Sequence, residues 1–353
     1  MAETARVRHP VVIAGGGPTG MMLAAELAIA GSAAVVVEPR PNQDLDGSRA
    51  GGLHARTIEV LDQRGVAERF LQAGQVMQVQ AFAMIPLDIS DFPTRHNYGL
   101  ALWQSQFEQI LAGWTAELGV QVIRGRKVTG FTQSADAVVV ELDHGELIEC
   151  SYLVGCDGGH STVRESAGIG FEGLDASTSW MIAEVEMGGD PVFGMHRDAS
   201  GNHGLSRRAQ GEPIRVVITE PQLRTGRPSL EELRSALHEV FGTDYGLSRA
   251  HWISRFTDAS RQASEYRAGR VLLAGDAAHV HPPQGGQGLN TGVQDAVNLG
   301  WKLAGVLRGD SGEGLLDTYH AERHPVGARV QRNTMAQVVL GRSGERHRAL
   351  HAP

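Results

Sequence analysis

Only two cysteines occur among the 353 residues, Cys150 and Cys156. Two are too few for a disulfide framework, and no CxxC pair accompanies them to suggest zinc. Both are expected to be small buried hydrophobes. Aromatic residues are scarce, at 5%. Basic residues are outnumbered, 32 Lys and Arg against 40 Asp and Glu, for a net charge of −8. That balance argues against a phosphate-backbone binder, so no nucleic acid partner is expected. Long apolar runs are missing too. Nothing approaches the roughly 18 consecutive apolar residues of a membrane span, so no membrane partner is expected. The early run Val11–Ala14 is too short for an export signal and leads straight into Gly15. With the poverty in cysteine, this points to the cytoplasm.

What is in excess is glycine, 45 of 353 residues, or about 13%, where about 7% is usual. Much of it falls in two clusters, and each opens a helix. The length suggests two domains, or one large α/β unit with an insertion. Residues 11–38 read as a βαβ unit: an apolar run Val11–Ile13, a glycine turn, a helix ending at Gly31, and a buried strand Ala33–Val37. Further on, helical spacing covers Thr57–Arg64 and Phe107–Leu118, and strands are expected at Val120–Ile123, Val138–Leu142 and Tyr152–Val154. Between 171 and 270 the pattern changes. Alternation in Ile182–Met187 and Ile214–Ile218 indicates an antiparallel sheet with one covered face, beside a helix over Leu230–Phe241. Val271–Ala274 is another buried strand, and helices follow at about Leu289–Leu307, Leu316–Ala321 and Val326–Leu340. The tail 341–353 is polar and expected to be loose.

Three motifs carry chemistry. The first is Gly15-x-Gly17-Pro18-Thr19-Gly20. Its glycines permit a tight turn, a close approach of backbone to pyrophosphate, and close packing of helix on strand. Glu38 lies 18 residues past Gly20, where an acid that holds a ribose hydroxyl is expected. The motif alone does not separate FAD from NAD(P). The second is Asp157-Gly158-Gly159-His160-Ser161-Thr162-Val163-Arg164, for which a helix capped by Ser161 or Thr162 is a sufficient account by itself. The third runs from Gly275-Asp276 through His279, His281, Pro282 and Pro283 to Gln284-Gly285-Gly286-Gln287-Gly288-Leu289-Asn290. Asp276 ends a strand, where it can accept from sugar hydroxyls. The glycines turn backbone N–H groups towards a ligand at a helix N-terminus. His279 and His281 have no third ligand in sight, so no metal is expected.

Together these motifs resemble the class A flavoprotein monooxygenases of the p-hydroxybenzoate hydroxylase fold. The resemblance spans about residues 10–340. Gly51–Thr57, Gly285–Trp301 and Tyr319–Pro325 look closer still to the branch holding the aromatic polyketide hydroxylases and the rifampicin monooxygenases. It implies an α/β fold: a Rossmann-like FAD-binding domain (1–170 and 271–340) with an inserted antiparallel-sheet substrate domain (171–270). Relatives usually carry a thioredoxin-like domain after the last helix, where this chain stops at Pro353. Position 51 is glycine, where some relatives have an arginine near the substrate.

The resemblance also implies roles. The Thr19 loop would bind the FAD pyrophosphate and Glu38 the adenosine ribose. Arg49 would reach the cofactor phosphates, Gln104 would contact the cofactor, and Val128 would touch adenine. Asp157 and Thr162 belong to a motif associated with FAD and NAD(P)H. Asp276 would bind the ribityl or phosphate region. Pro283 would lie at the reacting edge of the flavin, and Gly286, Gly288, Leu289 and Asn290 would meet the isoalloxazine. NADPH or NADH would be a transient reductant and O2 the co-substrate. An electron-rich aromatic substrate would be hydroxylated through a flavin C4a-hydroperoxide, with the flavin supplying the reactivity. For this substrate the candidates are Met195, Arg197, Arg215, Pro283 and Gln284, although for the members within 171–270 the plainer account is sheet core for the apolar residue and solvated charge for the arginines. Baeyer–Villiger-type insertion, another flavin oxidoreductase and a non-catalytic FAD-binding relative remain open. The protein is expected to be a monomer or homodimer.

Overall fold

The computed structural model describes residues 8–83, 85–207 and 210–341. Of the tail expected to be loose, 342–353 lies outside the described residues. The framework is a parallel sheet built around the strand Arg8–Ala14. One neighbour is Ala34–Glu38, followed by Gln121–Arg124. The other is Leu147–Gly155, followed by Val271–Leu273 and the short edge Arg267–Ala268. Val11, Val12, Ile13, Val35 and Val36 are fully buried. A parallel strand covered on both faces needs apolar residues at every position, which is why these runs do not alternate.

The helices are α1 (Pro18–Ile29), α2 (Ala55–Asp62), α3 (Ala67–Ala73), α4 (Gln104–Glu117), α5 (Thr162–Ser166), α6 (Leu230–Phe241), α7 (Gln287–Leu307) and α8 (Gly314–Gly341), and all but α6 belong with this sheet. Every residue of α1 from Gly20 to Leu27 is buried, as expected of a helix packed on more than one side. It lies against the sheet, α4 and α7. An ideal Cβ on Gly300 of α7 would come 2.4 Å from the Glu26 Cβ. The absent side chain therefore sets how closely α1 and α7 cross.

A single helix replaces the two expected at the end of the chain, with Pro325 inside α8. Interior proline costs about 3 kcal/mol through a lost N–H and a clash with the preceding turn. Anchors on both sides hold the helix through it. Before Pro325, Arg323 binds Asp295 and Glu322 pairs with Lys302. At and beyond it, Gln262 donates to the His324 carbonyl, and Gly327 lies close against Tyr266.

A second sheet is antiparallel, in the order Gly194–Arg197, Asn202–Ser206, Ile214–Thr219, Ser179–Met187, Leu247–Thr257. The period of two sorts its side chains. Met181, Ala183, Val185, Ile214, Val216 and Ile218 form a separate core with Leu233 and Leu237 of α6. That helix begins with a Ser229–Glu232 capping box and ends on left-handed Gly242. The alternate residues Trp180, Ile182, Arg215, Val217 and Thr219 face the other way, towards the parallel-sheet unit. A three-stranded sheet of Phe171–Leu174, Ser260–Ala263 and His279–Val280 joins the two parts. Among the described residues no helix is long and apolar enough to cross a membrane.

Candidate active site

A cavity of about 980 Å³ separates the two sheets, at the upper end of the range for small-molecule and cofactor sites. Gly17, Pro18 and Thr19 line it at one end. Asp276 and the stretch Pro283–Leu289 line its flank, and the free face of the antiparallel sheet closes it opposite.

The first glycine turn is built as its spacing requires. Gly15 has φ +100°, and a Cβ there would lie 2.4 Å from the Cys156 carbonyl oxygen. A Cβ on Gly20 would lie 1.9 Å from the Gly15 oxygen. At Gly17 the added atom would meet nothing within 4 Å. The first and third glycines thus serve the fold, and the second leaves open space before the N-terminus of α1. That end has no capping side chain and no acid in its first turn. Its N–H groups and dipole remain available to an anion. The Thr19 hydroxyl fills the space that side chains at 275 and 292 would take.

Glu38 is buried and accepts from the Gly16 N–H (2.5 Å) and from Arg40 N (3.0 Å) and Nε (2.7 Å). Arg40 also binds the buried Glu108 (2.9 Å), which accepts from Gln43 (2.7 Å) and Gln104 (2.8 Å). Sequence reasoning missed Arg40, Gln43 and Glu108. Arg40 and Gln43 meet Glu108 across 68 and 65 positions, and no local spacing reports that. Gln104 opens α4, and its side-chain Oε1 accepts from Ala50 N (3.3 Å) while its backbone N–H donates to Ala50 O (3.0 Å). It therefore pins the loop carrying Arg49. Arg49 is on the cavity wall and donates to Ser254 (3.0 Å). Val128 is buried on its strand, away from the cavity lining.

In the second motif Ser161, not Thr162, is the cap, accepting from Arg164 N (3.0 Å). Thr162 begins α5, and Asp157 accepts from Ser161 and from Val163 N. Burial pushes the Asp157 carboxyl up, against these bonds. Neither Asp157 nor Thr162 lines the cavity, whereas Cys156 and Gly158 do. Arg164 donates to the Ala277 (3.0 Å) and Gly159 (3.0 Å) carbonyls and stacks on Phe171. The motif thereby clasps the third. Both thiols are pushed up by burial, Cys150 to about 12.

In the third motif Asp276 is exposed to the cavity, and its carboxylate makes no hydrogen bond with the described residues. Behind it Asp295, fully buried, accepts from Gly275 N (3.1 Å), His279 Nε2 (2.6 Å) and Arg323 Nε (2.7 Å). His281 lines the cavity and donates Nδ1–H to the Pro282 carbonyl (2.8 Å), so the two histidines turn to different partners. Pro283, Gln284, Gly286, Gly288 and Leu289 line the wall, while Asn290 is buried behind it. The 3-10 turn Gln284–Gly286 runs into α7, whose N-terminus also lacks a side-chain cap.

On the opposite wall Trp180 and Phe256 stack with ring centroids 5.3 Å apart and an interplanar angle of 11°. Ile182 and Val217 extend this apolar surface. Arg215 lies within it, held over the Trp103 ring at 4.4 Å and donating to the Arg49 carbonyl (2.7 Å). Its Nη1 is buried, 3.8 Å from Glu184, and has no hydrogen-bond partner among the described residues. Burial lowers the guanidinium pKa to about 10, and Glu184 offsets only part of this. Met195 also lines the cavity. Arg197 does not, and it donates to the Gly341 carbonyl (3.3 Å).

These residues fit a flavin dinucleotide. Two uncapped helix ends, a free carboxylate and an open notch at Gly17 face one continuous space. Comparison with known proteins agrees. A family model described as FAD binding domain matches residues 8–334. The 12-dehydrotetracycline 5-monooxygenase/anhydrotetracycline 6-monooxygenase of Streptomyces rimosus is 45% identical over 95% of this chain and 70% of its own length. A rifampicin monooxygenase of Streptomyces venezuelae is 45% identical over 94% of this chain and 71% of its own. The solved structure of the OxyS anhydrotetracycline hydroxylase from Streptomyces rimosus superposes with a TM-score of 0.89 at 46% identity, covering 95% of this chain and 69% of that one. The chain belongs to this FAD-binding family and is an FAD-dependent aromatic hydroxylase of the p-hydroxybenzoate hydroxylase fold.

Proposed function

We propose that this enzyme takes electrons from NADPH or NADH and hydroxylates a large electron-rich aromatic compound, of polyketide or ansamycin type, at the expense of O2. Bound FAD would supply the redox chemistry, and the chain supplies position and environment. In this reading the turn Gly15–Gly20 and the N-terminus of α1 hold the pyrophosphate, with Arg49 nearby. Glu38 holds the ribose, Val128 lies at adenine, and Asp157 and Thr162 brace the loop. Asp276 takes the polyol chain, and Pro283 to Asn290 frame the ring system. Residues 171–270 form the substrate side. The stacked Trp180 and Phe256 present an apolar shelf that excludes water from the reacting ring. Arg215, Met195 and Gln284 border the same space.

The observation that carries this reading is the shared cavity, with cofactor-type glycine turns on one wall and an aromatic shelf holding a cation on the other. The test is the absorbance spectrum of the purified protein, followed by NADPH and a panel of polycyclic phenols and ansamycins. Flavin bands, with NADPH consumption raised by one panel member, are expected. A protein that cannot be reconstituted with FAD would sink the proposal. Flavin bands without stimulation by any phenol would favour a non-hydroxylating relative.

Arg215 yields a separate expectation. A cation whose folded pKa lies below its unfolded value opposes folding while charged. At Arg215 that cost applies at every pH below about 10 and fades as pH rises from there towards the ordinary guanidinium range. The cost is useful only if an anionic oxygen of the substrate meets the guanidinium where Arg215 lines the cavity. Arg215→Met should therefore raise KM for a phenolic substrate about tenfold or more, since a charge-assisted bond contributes about 1.5–3 kcal/mol. The melting temperature of the substrate-free protein should hold or rise. An unchanged KM would remove Arg215 from the binding site.

A further inference from the structure

Gly285 and Gly286 both adopt left-handed backbone, φ 73° and 62°, immediately before α7. Such a turn can aim either carbonyls or N–H groups into the cavity. Two side chains decide which. His54 Nε2 lies 2.8 Å from the Gly285 oxygen. A carbonyl only accepts, so Nε2 carries the proton. Asn290 Nδ2 donates to the Gly286 oxygen (2.8 Å) and to the Gly52 oxygen (3.2 Å), and Asn290 Oδ1 accepts from the His54 N–H (2.8 Å). Both carbonyls are thus held by side chains that do not line the cavity, the Gly285 oxygen by His54 before α2 and the Gly286 oxygen by Asn290 of α7. Residue 54 is the cap position of α2, yet its ring makes no capping bond there. The side chain is committed instead to a turn 231 residues away. Burial lowers the His54 pKa, with the Gly285 bond opposing, so the ring is neutral near pH 7.

We propose that His54 is a positioning residue. By holding the Gly285 carbonyl it keeps the N–H groups at the start of α7 turned into the cavity, where they stabilise negative charge on a bound reduced flavin. The inference rests on the reading that this turn borders FAD. Loss of the ring leaves the Gly285 carbonyl free to rotate towards the ligand, which disfavours the anionic reduced form more than the neutral oxidised form.

The test compares the FAD-loaded wild type with His54→Ala, His54→Gln and His54→Asn, using the flavin midpoint potential measured by equilibration with a redox dye. Glutamine places an N–H where Nε2 stood, and asparagine is too short to reach. His54→Ala and His54→Asn are expected to lose about tenfold in affinity for reduced relative to oxidised FAD. That corresponds to about 30 mV of midpoint potential for a two-electron couple. His54→Gln is expected to stay within threefold of wild type. If the alanine variant does not fold, the glutamine–asparagine comparison decides. An unchanged potential in His54→Asn, or equal losses in the glutamine and asparagine variants, overturns the proposal. A wild type that takes up no FAD would overturn the proposed function instead.

Discussion

Asp295→Ala is expected to destabilise the protein by about 3–5 kcal/mol, the range for removing one partner of a buried ion pair, and to abolish FAD retention. Few single changes reach that size. The Asp295 carboxylate is wholly buried and serves three donors from two segments: the Gly275 N–H and the His279 ring of the third motif, and the Arg323 guanidinium of α8. Truncation leaves all three without their acceptor. Against a total stability of about 5–15 kcal/mol, the loss is large, and urea unfolding would measure it. A pH dependence accompanies it. Burial alone would push the Asp295 carboxyl up, but His279 and Arg323 pull it below the usual 3.8. A depressed carboxylate stabilises the fold above its unfolded pKa. Wild type should therefore lose this contribution only as pH falls below 3.8, through the folded value. Asp295→Asn should lack it at neutral pH as well. Equal stabilities of Asp295→Ala and wild type at pH 7 would refute the account.

The second large effect separates two glycines three positions apart. Gly20→Ala places a Cβ 1.9 Å from the Gly15 oxygen. The obstacle is backbone, so the turn itself must shift. Overpacking of this kind costs about 1–3 kcal/mol or more, and the protein is expected to melt earlier and to be isolated colourless. Gly17→Ala meets nothing within 4 Å, so its melting temperature without cofactor should match wild type. Its FAD affinity should still fall at least tenfold, because the added methyl enters the notch before α1. Thermal melts of the cofactor-free proteins and FAD titration of each check the pair. Equal FAD affinity of Gly17→Ala and wild type would show that the pyrophosphate does not approach there.

The parts legible in the sequence are those whose physics is local. The βαβ unit was readable because the turn needs Gly15 and Gly20 for steric reasons that do not depend on the rest of the chain. The antiparallel sheet was readable at Ile214–Thr219, where the period of two marks a face packed on α6. Helix α8 was divided at Pro325 because the anchors that hold it together, Asp295, Lys302 and Gln262, come from other segments. The same reason hid Arg40, Glu108, Trp103 and His54. Each owes its place to partners dozens to hundreds of positions distant. The cavity-lining residues of the first and third motifs came from resemblance as much as from spacing. Arg215 could be suspected as a cation on the sheet, but its orphaned nitrogen emerges only when Trp103 and Glu184 are brought beside it.

The order of strands in the parallel sheet has a consequence for how the chain is made. Val12 pairs with Leu153, and Leu153 with Val271. During synthesis, the strand of Val12 can pair early with Ala34–Glu38, but its other neighbour is made much later. Helix α7, which packs on α1, emerges later still. Sheets of such high contact order are slow to form and expose apolar edges meanwhile. The antiparallel sheet with α6 has its own core and its neighbours within residues 179–257, so it can form in the interval on contacts of its own. The glycine turn Gly15–Gly20 is completed only when Gly275 and α7 close over Thr19. On the proposed reading, cofactor capture at this turn waits for α7, and a shortage of flavin in the cell would leave a chain folded through α7, rather than an early fragment, for quality control to meet.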